Sequence, residues 1–270
     1  MTWLTDAAAI LSGGPPHPPC AANHERHETT TIHVDGSHGL HDWPQLPPLD
    51  FRLDVFRADL YSVPAYCPAD SEVSRGLLAH ACWEAYGSVL ALAILSSGSG
   101  ICVDFGANVG WYSLLALSRG APVLAVEADP VIAQVLHRNL RRYEPDEVRW
   151  SVARGWIDSD TPQLPAGPHV RLIKADVEGL EPEVMRVCEP LLISGSVDFV
   201  IAEASPCFGS TGWVARVAAL GFDVFVIPDK GSDPLAFAAD PIGETTRHPY
   251  EAAAFDRHQA DLLLVRTGVR

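Results

Sequence analysis

The strongest constraint on the fold is the run Ile101-Cys102-Val103-Asp104-Phe105-Gly106-Ala107-Asn108-Val109-Gly110, where an apolar stretch of strand length passes straight into a glycine-bearing turn. A stretch so short and so apolar reads as a strand buried on both faces, and such strands belong to parallel sheets covered by helices. The pattern recurs: Val123 to Glu127 repeats the strand and ends in an acid, and Asp129-Pro130 supplies a cap acceptor with proline at the first helical position. Val131, Ile132, Val135, Leu136 and Leu140 then give the next helix one apolar stripe.

The same rhythm sets out strands at 101–105, 122–127, about 148–152, 170–175, 197–202, 222–227 and 261–266. Helices are expected over about 109–119 and 130–143, from Pro182, and from about Thr211 to Leu220 with Gly221 as its C-cap. Strands alternating with helices imply a parallel α/β sheet. Upstream, Phe51, Leu53, Val55 and Leu60 suggest a short strand or hairpin, and Ser71 can cap a helix whose apolar positions run from Val73 to Ile94 until Gly98 and Gly100 stop it. Three regions follow: a Pro- and His-rich arm, 1–48, expected to be disordered; a lead-in, 49–100; and the main domain, 101–270. The segment 229–257 is too long for a tight hairpin and is the candidate for part of a substrate mouth.

Composition narrows the function. Apolar residues make up 47% of the chain, enough for a sizeable core, and the net charge of −15 repels nucleic acid phosphates and anionic membrane surfaces. Arg138, Arg141 and Arg142 form the tight basic cluster, which suits a helix C-terminus. Apolar runs fall short of a bilayer span and Met1 to Gly14 lacks a basic secretory start, so the cytoplasm is the expected compartment. The cysteines form no C-x-x-C pair, and the arm's histidines lack companion cysteines at finger spacing, so no metal site is expected.

The turn departs from the dinucleotide pattern G-x-G-x-x-G that seats a pyrophosphate. Its glycines are spaced Gly-x-x-x-Gly, and Asn108 adds an amide suited to the amino acid part of S-adenosylmethionine. Glu127, about twenty residues on, is placed to accept ribose hydroxyls. Four strands end in acids, Asp104, Glu127, Asp176 and Glu203, and ligands of open parallel sheets bind at those ends. Each acid also has a plainer reading as a solvated strand end or helix cap. Lys174 points the same way as Asp176 and either pairs with it in the cleft or reaches the sheet edge.

Together these residues resemble the FkbM family of S-adenosylmethionine-dependent methyltransferases. The likeness rests on Val103 to Ser113, on Val126-Glu127-Ala128-Asp129-Pro130, and above all on Ile173-Lys174-Ala175-Asp176-Val177-Glu178-Gly179-Leu180-Glu181. It implies a Rossmann-like class I methyltransferase fold: a seven-stranded, mostly parallel sheet with an antiparallel last strand and helices on both faces. It also implies O-methylation of a hydroxyl on a small metabolite or sugar. Gly106, Asn108 and Gly110 would contact the methionyl part, Glu127 and the adjoining Ala128 the ribose side, and Asp104 would assist through the turn. Asp176 is then the first candidate base, with Glu178 and Glu203 next, and a divalent ion between Asp176 and Glu203 is the less favoured use of that pair. The third strand departs from the family, and Ser151 to Ala153 are the expected adenine neighbours. Two other readings stay open, a methyltransferase-like binding module without catalysis and a nucleotide-dependent oxidoreductase.

Overall fold

Three strands precede the main sheet: β1 (Thr30–Val34), β2 (Leu49–Ala58) and β3 (Tyr61–Pro68), antiparallel in that order. The computed structural model describes residues 83–205, 211–228, 239–251 and 259–269, together with Val73, Phe237 and the backbone of these three strands. β2 and β3 are the hairpin expected from the alternation around Phe51, closing at Ala58 opposite Tyr61. β1 lies inside the arm expected to be disordered: Thr-Thr-Ile-His-Val is β-branched at four of five positions and pairs along β2. The rest of the arm lies outside the described residues.

The main domain alternates as its sequence does. After α1 (Ala85–Ser96) come β4 (Ile101–Phe105), α2 (Trp111–Ser118), β5 (Val123–Glu127), α3 (Pro130–Tyr143), β6 (Trp150–Arg154) and β7 (Val170–Ala175). Then follow α4 (Glu181–Val187), α5 (Glu189–Ile193), β8 (Val197–Ala204), α6 (Gly212–Ala219), β9 (Phe222–Val226), α7 (Pro241–Thr245) and β10 (Ala260–Arg266). The seven strands stand in the order β6-β5-β4-β7-β8-β10-β9, and β10 is antiparallel to both neighbours. This is the Rossmann-like class I methyltransferase arrangement, with six parallel strands and an antiparallel last strand.

Every residue of β4, β7 and β8 is buried, so these strands are largely apolar, and the charged residues they carry, Asp104, Arg171, Lys174, Asp198 and Glu203, are buried with them. One core lies on the face covered by α1, α2 and α3, around Leu90, Leu114 and Leu136. The other lies under α4, α5 and α6, around Val184, Leu191 and Val217. Strand order reverses between β4 and β7, the crevice where open α/β sheets bind ligands. Among the described residues, no helix is long and apolar enough to cross a membrane.

Two expectations change. The helix expected to run through Val73 to Ile94 bends at Trp83 and Glu84, and α1 begins only at Ala85. Glu84 adopts φ 45°, and its carbonyl accepts from Ser88 N at 2.8 Å while its side chain turns inward to α2 and β7. The intervening residues 74–82 lie outside the described set. The third strand runs to Arg154, two residues beyond the expected end, which moves its ligand-facing end onto Gly155-Trp156-Ile157. Within 229–257, α7 is capped by Asp240, and Phe237 stands edge-on to Tyr86 of α1 at 4.8 Å between ring centroids.

Candidate functional site

The turn between β4 and α2 is tight because two glycines remove side chains where other elements must pass. Gly106 has φ +72°, and a Cβ there would stand 1.8 Å from the Asp176 carbonyl oxygen. Gly110 has φ +92°, and a Cβ would stand 2.7 Å from Leu136 Cδ1 of α3. The turn is tied to the second strand by Gly106 N and Ala107 N, which donate to Val126 O at 2.9 and 3.0 Å. Asn108 N donates to Glu127 Oε2 at 2.8 Å, and Asn108 Oδ1 accepts from Val109 N at 2.8 Å. Asp129 N donates to Glu127 Oε1 at 2.8 Å, so both Glu127 oxygens are aimed by backbone. Burial pushes the Glu127 carboxyl above its ordinary range, against those backbone donors.

A cavity of about 400 Å³ opens over this turn, within the range of small-molecule sites. Asp104, Gly106, Asn108, Glu127 and Ala128 line it from β4, β5 and the turn, and Lys174, Asp176 and Glu178 from β7 and the loop beyond. Gly155, Trp156 and Ile157 form the wall beyond β6, in place of Ser151 to Ala153, and Trp156 is 68% exposed there. Gly110 and Glu203 lie outside the lining: Gly110 faces α3, and Glu203 stands farther along the strand ends. The structure therefore gathers seven of the nine candidate residues around one cavity.

Beneath it lies a charge pair that the sequence left open. Lys174 is 2% exposed, with Nζ 3.2 Å from Asp176 Oδ2 and 3.8 Å from Glu84 Oε2, and 4.9 Å from the centre of the Tyr112 ring. Burial alone would lower the Lys174 pKa, but Asp176, Glu84 and Asp261 outweigh it and hold the ammonium firmly charged. Tyr112 OH donates to the same Glu84 oxygen at 2.7 Å. Asp104 accepts from Ser113 Oγ at 2.6 Å, and burial lifts its carboxyl to about 6 against the pull of Ser113 and Lys174. Glu203 accepts from Gln259 Nε2 at 2.6 Å; burial, with Asp176 and Asp261 nearby, lifts it to about 7. Sequence reasoning missed Glu84 and Tyr112, whose roles appear only when α1, α2 and β7 are brought together.

No protein-family model matches the chain, and no curated protein is similar to it in sequence. Many solved structures match the chain. A TehB-like SAM-dependent methyltransferase from Corynebacterium glutamicum is 16% identical, with 72% of this chain and 94% of that one covered and a TM-score of 0.42. An O-methyltransferase from Bacillus cereus in complex with SAH is 13% identical, covering 72% and 86%, with a TM-score of 0.41. Magnesium protoporphyrin IX methyltransferase from Synechocystis with bound SAM is 12% identical, covering 68% and 79%, with a TM-score of 0.42. Likeness of that depth does not decide the chemistry, which rests on this chain's own cavity.

Proposed function

We propose that the protein is an S-adenosylmethionine-dependent methyltransferase acting on a hydroxyl of a small metabolite or sugar, in the manner the FkbM resemblance implies. The observation that carries this reading is the pairing of the Gly106–Gly110 turn with Glu127, whose two oxygens are fixed by Asn108 N and Asp129 N at the edge of one cavity. Each carboxylate oxygen keeps a second lone pair, so Glu127 can accept ribose hydroxyls without giving up its backbone donors. Asn108 spends its backbone N–H and its side-chain oxygen within the turn, which leaves its amide NH2 as the donor for an α-carboxylate. The turn lacks the third glycine of the pattern that seats a pyrophosphate.

When bound, the cofactor supplies a methyl group already activated by a sulfonium. The chain's own task is alignment and exclusion of water. Asp176 lines the cavity beside the start of α4 and is the proposed residue that receives or orients the acceptor hydroxyl; Glu178, also on the lining, and Glu203 follow it. Lys174 holds Asp176 in place from below. Titration calorimetry with S-adenosylhomocysteine tests the reading directly. Saturable heat is expected, and silence at high micromolar ligand would favour the noncatalytic binding module. Labelled cofactor with a panel of hydroxylated metabolites then identifies the acceptor.

A further inference from the structure

Asp104, Lys174, Glu203 and Asp261 all leave the sheet on the face covered by α1 and α2, since they alternate with residues packed in the opposite core. The register stacks them in two tiers. In the lower tier Asp104 pairs with Lys174 across β4 and β7. In the upper tier Glu203 pairs with Asp261 across β8 and β10, and Asp176, one step beyond the Ala175–Ala202 pair, stands level with Glu203.

The tiers differ in charge. Lys174 sits in the lower one and engages Asp176 from below and Glu84 from the side. In the upper tier, Glu203 is 8% exposed, and one oxygen accepts from the neutral amide of Gln259, itself an exposed residue. Its other oxygen, Oε1, is buried and has no donor. A buried carboxylate oxygen without a donor loses its hydration with nothing in return, and a charged donor relieves that loss best. Because Gln259 is exposed, its amide can leave Glu203 and be satisfied by water when a better donor arrives.

Resting on the methyltransferase reading of the adjoining cavity, we propose that the acceptor carries a protonated amine, which displaces the Gln259 amide and donates to Glu203 between Asp176 and Asp261. The acceptor class is therefore an amino-bearing hydroxyl compound, with its cation at the β8–β10 end and its hydroxyl toward Asp176.

Matched probes test this on the full-length protein saturated with S-adenosylhomocysteine: glucosamine against glucose, tyramine against para-ethylphenol, and ethanolamine against ethylene glycol, each titrated calorimetrically. At least one amine is expected to bind about tenfold or more tighter than its neutral partner, the scale of one hydrogen bond to a charged group. Glu203→Gln is expected to remove that preference while S-adenosylhomocysteine affinity stays within about twofold. Should Glu203→Gln not melt cooperatively, Asp261→Asn takes its place in the same comparison. Preferences below about tenfold in every pair, or a preference that survives the substitution, would overturn the proposal. Failure to bind S-adenosylhomocysteine would instead strike the cofactor assignment, and the amine comparison would still be read on the protein alone.

Discussion

Asp104 is a buried carboxyl on the cavity lining, and its ionisation has a consequence for folding. Burial raises it from about 4 in the unfolded chain to about 6 in the folded one, so the folded state holds the proton more tightly. The stability this gives is fully present below pH 4 and is lost as the pH rises through 6. The shift corresponds to roughly 3 kcal/mol, and Asp104→Asn should flatten that part of the stability profile in urea unfolding between pH 4 and 7. A wild-type profile that rises steadily through that window, and is unchanged in the variant, would show that Asp104 stays ionised. Glu127 acts differently, because its oxygens are already aimed by Asn108 N and Asp129 N. Glu127→Ala should weaken S-adenosylhomocysteine binding by about 1–3 kcal/mol in calorimetry, and unchanged affinity would remove the ribose assignment.

Elements form where their ends are specified locally, and α3 shows how far that reaches. Asp129 Oδ1 accepts from Val131 N at 2.7 Å and Ile132 N at 3.0 Å, with Pro130 at the first helical position, which is why Asp-Pro before an apolar stripe placed this helix correctly from 130 to 143. Asp129→Ala should cost about 1 kcal/mol in chemical denaturation. A change near zero would mean that packing alone holds the helix. The break before α1 was not legible in the same way. Nothing in the apolar spacing around Trp83 signals it, because its partners, Tyr112 and Lys174, belong to other elements. The same holds for the cavity: Glu127 and the glycine turn were legible as local motifs, whereas Ser151 to Ala153 were expected where Gly155 to Ile157 stand, because only pairing with β5 carries β6 to Arg154.

At the scale of the whole molecule, β7 clamps α1 at both ends with its two buried cations. Near the cavity, Lys174 meets Glu84 just before the helix begins. At the opposite edge of the sheet, Arg171 Nε donates to Ile94 O at 3.0 Å, and its two NH2 groups donate to Asp198 Oδ2 at 2.6 Å and Ser97 Oγ at 2.7 Å, with the guanidinium 4.7 Å from the centre of the Phe199 ring. The two clamps fix the tilt of α1 over β7 and hold Glu84 against the cavity floor, yet they lie at opposite ends of the strand. Arg171→Ala strips the guanidinium from the buried Asp198 and leaves the half-exposed His169 beside it, a loss of about 3–5 kcal/mol for a broken buried pair and roughly 10 °C in melting temperature. S-adenosylhomocysteine affinity should nevertheless stay within about threefold, because the ligand end of the strand keeps its own cation. Lys174→Met should lower both quantities, since it strips the cation from Asp176 at the lining itself. Parallel melting and calorimetry on the two variants separate the clamps, and equal losses of affinity would mean that the sheet transmits strain from one end of α1 to the other.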